Sequence, residues 1–287
     1  MTAGAVGDVS LACVYDASIR MAPEELFLDW DDDAVAPHAA RLGRRCYDPV
    51  ARVHTLPVHC WIVRAGGLTV LVDTGCGDGK RRPDLPDLHL LRTGFLVRLA
   101  AAGVRPEDVD VVLCTHLHAD HAGWNTRLRD GRWVPTFANA RYIVSAAELA
   151  FASGSEPGLM RDVYEDSVLP VVEAGLVQTV DGEWELTDAI SLHPAPGHTP
   201  GHVRIELRSR GRLGILSGDI LHTPLQAPFW HWRTRLAEDP ERDVVTRREL
   251  LEDCVELDAL LIPAHFHPPA VGRVRADGDG FAIRPGW

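Results

Sequence analysis

Residues 115–121 read Thr-His-Leu-His-Ala-Asp-His, so three imidazoles and a carboxylate fall within six positions, directly after the apolar run 109–114. Imidazole nitrogen and carboxylate oxygen are the donors that bind zinc. In a loop, alternate residues His116 and His118 can turn toward one ion while Asp120 and His121 turn toward a neighbour. A lone histidine pair is a weak signal, since such residues also cap helices or bond to backbone. Four ligand-type side chains packed this closely at a strand end make that role improbable. Three later segments repeat the pattern: His198 in Pro196-Gly197-His198-Thr199-Pro200-Gly201-His202, Asp219 in Ser217-Gly218-Asp219, and His265 in Pro263-Ala264-His265. Each candidate ligand follows an apolar run, and Asp219 is a carboxylate able to bridge two cations. Taken together they describe one site assembled at one edge of a fold.

The elements that must position these residues come in runs of strands with helices between and after them. Residues 58–63 and 68–72 are apolar and β-branched, joined by Ala65-Gly66-Gly67, and predict a hairpin. Asp73-Thr74-Gly75 closes its second strand. Further strands are expected at 109–114, 142–144, 190–193, 203–207, 213–216 and 260–262, with a closing hairpin over 272–283 around Asp277-Gly278-Asp279-Gly280. Helices are expected at 94–102, stopped by Gly103, and from 146 to 152. A third opens at Asp239-Pro240, an N-cap followed by proline at the first helical position, with apolar residues at Val244, Leu250, Leu251, Cys254, Val255 and Leu257. This is an α/β layered sandwich rather than a strict βαβ repeat. Residues 1–52 read as an irregular arm or short helix packed on a body spanning 53–287, a surface extension or a pocket wall alike, and no linker divides the chain into two domains.

The ordered motifs resemble those of the metallo-β-lactamase superfamily: Asp73 in Val72-Asp73-Thr74-Gly75, then His116-x-His118-x-Asp120-His121, His198, Asp219 and His265, over roughly residues 53–287. The resemblance implies a four-layer αβ/βα sandwich of two mixed β-sheets flanked by helices. It implies that His116, His118 and His198 hold one metal, that Asp120, His121 and His265 hold a second, and that Asp219 bridges them. Asp73 and His202 would support the ligands from behind. Two divalent ions about 3.5–4 Å apart can hold a bridging hydroxide at neutral pH, ready to attack an electrophilic carbonyl or phosphoryl centre. Zinc is the expected metal, with manganese, iron and cobalt as alternatives.

Within that family Asp219 sets the chain apart from the antibiotic-cleaving branch, which lacks the bridging aspartate. His118 stands where the flavin-linked di-iron branch has glutamate. The full ligand set disfavours the single-iron persulfide dioxygenases, and the short chain leaves little room for the extra domain of the nucleic-acid-cleaving branches. Thioesterases of the glyoxalase II type, lactonases and enzymes resembling methyl parathion hydrolase remain, and the segments 218–222 and 264–274 lean toward the last two. The expected reaction is hydrolysis of a carboxylic ester or lactone, with phosphotriester or thioester cleavage as alternatives and a non-catalytic metal-binding protein as the opposing class. His222 stands three residues after Asp219, where lactonases often place a supporting tyrosine, and is the candidate acid beside Asp120; a loop histidine facing solvent is the competing reading. Phe229, Trp230, Trp232 and Phe266 are candidates for an apolar pocket wall, or equally for core packing.

Composition bounds the partners. A net charge of −12 opposes nucleic acid as a ligand, and Lys80-Arg81-Arg82 reads as a solvated turn, or less readily as a contact for a substrate carboxylate. No apolar run is long enough to span a bilayer, and residues 1–18 lack the basic residue and apolar core of a secretory signal. Six cysteines without paired spacing suit reduced, buried thiols, so the cytoplasm is the expected compartment. The expected partner is a small-molecule substrate, with a homodimer left open.

Overall fold

The computed structural model describes residues 2–287 and resolves the apolar runs into two large mixed sheets. The first half of the chain supplies β1 (Thr2–Val6), β2 (Val9–Met21), β3 (Tyr47–Asp48), β4 (Val53–Ala65), β5 (Leu68–Val72), β6 (Val111–Leu113), β7 (Thr126–Arg129), β8 (Arg132–Pro135), β9 (Arg141–Ser145) and β10 (Val177–Val180). The second supplies β11 (Trp184–Thr187), β12 (Ile190–Pro194), β13 (Val203–Ser209), β14 (Arg212–Gly218), β15 (Leu260–Pro263), β16 (Gly272–Asp277) and β17 (Gly280–Pro285). Helices are α1 (Pro23–Leu26), α2 (Asp32–Leu42), α3 (Phe95–Ala101), α4 (Ala146–Ser153), α5 (Leu159–Val163), α6 (Leu169–Glu173) and α7 (Pro240–Glu256). The first sheet runs β1-β2-β4-β5-β6-β9-β10 with β3 beside β4, and the second runs β11 to β17 in sequence order.

Strand parity builds the layers. Val70 and Val72 of β5, with Val111 and Leu113 of β6, face a core shared with Leu192, Ile205, Leu216 and Ile262 of the second sheet. The intervening Leu71 and Val112 face the opposite way, onto Phe95 and Leu99 of α3. Across the second sheet Leu213 and Ile215 pack on Leu250, Leu251 and Cys254 of α7. Alternate residues of a strand point to opposite faces, so one apolar run feeds two cores. The result is the four-layer αβ/βα sandwich of the metallo-β-lactamase fold. All six cysteines are free, and five of them are buried.

The reading of residues 1–52 as an irregular arm is corrected. β2 is a long inner strand paired antiparallel with β4, from Ser10 opposite Arg64 to Met21 opposite His54, with β1 as its outer neighbour. Val9, Leu11 and Cys13 are buried and alternate with Ser10 and Ala12, a period-two signal of a strand that the reading of an irregular arm passed over. The solvated-turn reading of residues 80–82 is corrected as well. Lys80 and Arg82 are buried, and Arg82 makes two 2.8 Å hydrogen bonds to the Asp166 carboxylate.

β5, β6 and β9 run parallel to one another, as do β14 and β15. The loops leaving their C-terminal ends carry Asp73, residues 114–121, Asp219 and His265. The turn between β12 and β13 brings residues 195–202 to the same rim: Val203 N–H donates to the Thr115 carbonyl at 2.9 Å.

Candidate metal centre

The histidine loop is fixed from below before any ligand is considered. Asp73 adopts a left-handed backbone with φ 55°, and its carboxylate accepts from Thr115 N–H and Thr115 Oγ1, each at 2.8 Å. It also accepts from His121 Nδ1 at 2.9 Å. Thr115 Oγ1 in turn takes the Nδ1 hydrogen of His116 at 3.1 Å. Both rings are thereby oriented with Nε2 outward, the arrangement by which a supporting carboxylate fixes a ligand's tautomer. His265 is held in the same way, Nδ1 donating to the Pro57 carbonyl at 3.0 Å.

Asp219 is the hub. Its Oδ1 lies 3.1 Å from Nε2 of both His121 and His265, and its Oδ2 lies 3.4 Å from His198 Nε2 and 3.8 Å from His116 Nε2. His202 Nε2 accepts the Asp219 backbone N–H at 3.1 Å. That contact needs glycine at 218, where φ is 51° and a Cβ would stand 2.5 Å from the His202 ring nitrogen. Asp120 Oδ2 lies 3.5 Å from Nε2 of His121 and of His265. Three-ligand groups with donor atoms within 4.8 Å of one another follow: His116, His118 and His198; His116, His121 and Asp219; Asp120, His121 and His265; His198, Asp219 and His222.

The donor set fits cations. His116 Nε2, His121 Nε2 and Asp219 Oδ1 are buried without a hydrogen-bond partner, a state that costs about 1–3 kcal/mol per group when nothing replaces water. His118 Nδ1 and His198 Nε2 stand 2.9 Å apart, a separation that requires a proton or a cation between two ring nitrogens. Burial holds His116 and His198 well below the usual imidazole range and His118 down at about 4, leaving these rings neutral and their lone pairs available. Burial pushes the Asp219 carboxyl up, but His121, His265 and His116 outweigh it and hold the group well below its ordinary value. Burial likewise opposes charge on His121, and Asp219, Asp120 and Asp73 around it overcome that and raise it well above the usual range. Carboxylates thus concentrate negative charge on a nest of nitrogens, the setting in which a divalent ion replaces protons.

The structure brings all seven sequence-derived ligand candidates together, with Asp73 and His202 behind them. His222 is buried rather than facing solvent; its Nε2 lies 3.3 Å from Asp219 Oδ2 and neither ring nitrogen has a hydrogen-bond partner. The aromatic wall is corrected. Phe229 stacks on Trp232 at 4.2 Å, and Trp232 packs on Phe27 and Trp30. Trp230 lies under Arg248 of α7, and Phe266 joins the core below the second sheet. None of the four lines the cavity above the ligands. Trp232 finds aromatic partners in Phe27 and Trp30, whose position the sequence does not reveal.

That cavity, about 580 Å³, is walled instead by Ile19 and Met21 of β2, Leu56 of β4, Leu85 and Leu88, Leu159 and Met160 of α5, and Leu236. Its charged lining away from the ligands is Glu25, Asp84, Asp87 and Glu238, with Arg20 tied to Asp87. Lys80 and Arg82 do not reach it. Sequence reading also missed Glu148, fully buried, whose carboxylate accepts from Leu117 N–H at 2.9 Å and Thr199 Oγ1 at 2.6 Å. Its one signal, Ser145 three residues earlier, marks a helix start and not a site.

Comparison with known proteins agrees with this architecture. The family model described as the metallo-beta-lactamase superfamily matches residues 55–267. An N-acyl homoserine lactonase from a Bacillus species is 29% identical over 185 residues, 58% of this chain. The match spans 65% of that relative's length. Among solved structures, hydrolase AbOPH of the beta lactamase superfamily superposes with a TM-score of 0.83 at 24% identity, covering 99% of this chain and 97% of the other. AidC, a dizinc quorum-quenching lactonase solved with N-hexanoyl-L-homoserine, gives 0.80 at 19% identity, covering 99% and 97%. At these identities the two structures attest to the fold.

Proposed function

The chain belongs to the metallo-beta-lactamase superfamily, and from that premise we propose that it is a dinuclear-metal hydrolase of carboxylic esters or lactones. One observation carries the reading: a cluster centred on Asp219 forms the floor of a cavity walled chiefly by aliphatic side chains, with acids among its outer lining. His116, His118 and His198 would hold one ion and Asp120, His121 and His265 the other, and Asp219 would serve both, since its two oxygens face histidines of both groups. Nitrogen and oxygen donors without thiolate suit zinc, with manganese, iron or cobalt as alternatives. When bound, two divalent ions acidify a water and polarise the carbonyl under attack.

The chain's own groups do the rest. Asp73 and the Pro57 carbonyl hold His121 and His265 in one tautomer. Ile19, Met21, Leu159 and Met160 take up an acyl chain and keep bulk water from the scissile bond. His222, with both ring nitrogens free at the cavity floor, donates a proton from Nε2 to the leaving oxygen. The relatives named as lactonases support the substrate class.

Elemental analysis of the purified, zinc-reconstituted protein should give two equivalents, and Asp219→Ala should lose at least one. A hydrolysis screen of lactones, aryl and alkyl esters, thioesters and phosphotriesters should then favour the first two classes. Protein that takes up no metal would replace the enzyme reading with a non-catalytic one. Phosphotriester or thioester turnover far above that of any lactone or ester would replace the substrate assignment.

A further inference from the structure

We infer that Glu148 is the positioning residue for one half of the cluster, setting the metal affinity of the His116–His118–His198 group without a hold on Asp120, His121 and His265. The inference rests on the ligand reading proposed above. The first group is split between sheets. His116 and His118 follow β6 of the first sheet, whereas His198 sits in the turn between β12 and β13 of the second. One backbone bond, from Val203 N–H to the Thr115 carbonyl, joins the roots of the two loops. Their ligand-bearing tips are joined by the Glu148 side chain. Oε1 accepts from the N–H of Leu117, the residue between His116 and His118, at 2.9 Å. Oε2 accepts from Thr199 Oγ1 at 2.6 Å and Gly201 N–H at 3.2 Å, beside His198.

The surroundings are built for this contact. Ser145 Oγ accepts from Glu148 N–H at 3.0 Å and donates to the Gly201 carbonyl at 2.7 Å, which clamps the turn onto the start of α4. The approach is so close that a Cβ at Gly201 would meet Glu148 N at 2.0 Å. A fully buried carboxylate is costly, and burial pushes its pKa up; its three side-chain bonds all go to the two ligand loops. A residue that only completed a helix start would turn its carboxylate back to the N-cap. The other half of the cluster is held by different groups, His121 by Asp73 and His265 by the Pro57 carbonyl.

Glutamine at 148 keeps the shape but turns one donor-facing oxygen into an NH2 group, which cannot accept from the fixed N–H of Leu117 or Gly201. Zinc-free protein titrated with Zn2+ against a chromophoric chelator should show two uptake steps in the wild type. Glu148→Gln should weaken one step by about 10–100-fold, the range typical of losing a ligand's supporting partner, and leave the other within about twofold. In a His265→Ala background, where the second group is broken, adding Glu148→Gln should weaken the step that remains. Thr199→Val removes a single donor and should give a smaller loss in the same step, with folding of each variant followed by circular dichroism. Equal weakening of both steps, or no weakening in either variant, would overturn the role of Glu148. A wild-type protein that takes up no zinc would overturn the ligand reading, and this inference with it.

Discussion

His222 stands on the cavity floor with both ring nitrogens free of hydrogen bonds. Its backbone N–H is fixed by Gln226 Oε1 at 2.7 Å, and its ring lies parallel to His265 with centroids 5.8 Å apart. Nε2 stands 3.3 Å from Asp219 Oδ2. That position suits two functions: a donor to the leaving oxygen, or an additional ligand grouped with His198 and Asp219. The two differ in what alanine does. Under the donor role, His222→Ala keeps both metal equivalents and lowers kcat by about 10²–10⁴-fold, the usual worth of a positioned acid. The loss should be larger for lactones and alkyl esters, whose leaving alkoxide needs a proton, than for nitrophenyl esters or thioesters, whose leaving groups do not. Elemental analysis beside kcat for the two substrate types checks this. Loss of a metal equivalent would make His222 a ligand, and equal small losses on every substrate would make it a bystander.

At the scale of elements, α7 is the clamp that holds two loops of the site, and it works through charge. Arg247 is fully buried and donates to the carbonyls of Ile220 (2.9 Å), Trp230 (3.0 Å) and Trp232 (2.6 Å), and to the Asp243 carboxylate. Thr246 Oγ1 donates to the Pro196 carbonyl at 2.6 Å, two residues before His198. Arg247→Met should cost about 3–5 kcal/mol of stability, because Asp243 would be left buried without its partner. Denaturant unfolding measures this, and Asp243→Leu in the same chain should recover part of the loss. A change under about 1 kcal/mol would show that α7 is held by Leu250, Leu251 and Cys254 alone. The same helix shows what a sequence discloses. Its start was legible in Asp239-Pro240, and Asp239 does cap it by accepting from Arg242 N–H. Leu250, Leu251 and Cys254 of its apolar face were legible too, whereas Leu257, read with them, is exposed. The first turns of the helix bury Asp243, Thr246 and Arg247, which no hydrophobic period reveals, since Thr246 and Arg247 bond carbonyls distant in sequence and Asp243 is paired with Arg247. Glu148 and Lys80 escape for the same reason. The ligands were readable because each group of them follows an apolar strand, a local signature; β2 carries one too, in Val9, Leu11 and Cys13 alternating with Ser10 and Ala12, but the acidic cluster at 29–33 drew the reading of this region toward an arm.

Over the whole molecule the charge is −12, and around the cavity mouth it takes a specific form. Glu25, Asp84, Asp87 and Glu238 line the opening, while Arg20, the one arginine or lysine among the described lining residues, is paired with Asp87 at 3.3 Å. The cations proposed at the floor act on the reacting group; the far end of a substrate tail meets the acids. An ester or lactone whose apolar tail ends in a carboxylate should therefore be a poorer substrate than its isostere ending in trimethylammonium. Tenfold in kcat/KM corresponds to about 1.4 kcal/mol, an amount that a few partly solvated charges can supply at low ionic strength. Screening sets the control. The Debye length falls from about 10 Å at 0.1 M salt to about 3 Å at 1 M, so the cationic-to-anionic ratio should fall toward one as salt is raised. Asp84→Asn with Glu238→Gln should bring the ratio down at low salt without altering turnover of a neutral substrate. A preference for the carboxylate tail, or a ratio indifferent to salt and to both substitutions, would mean that the tail leaves the cavity by a path that avoids these acids.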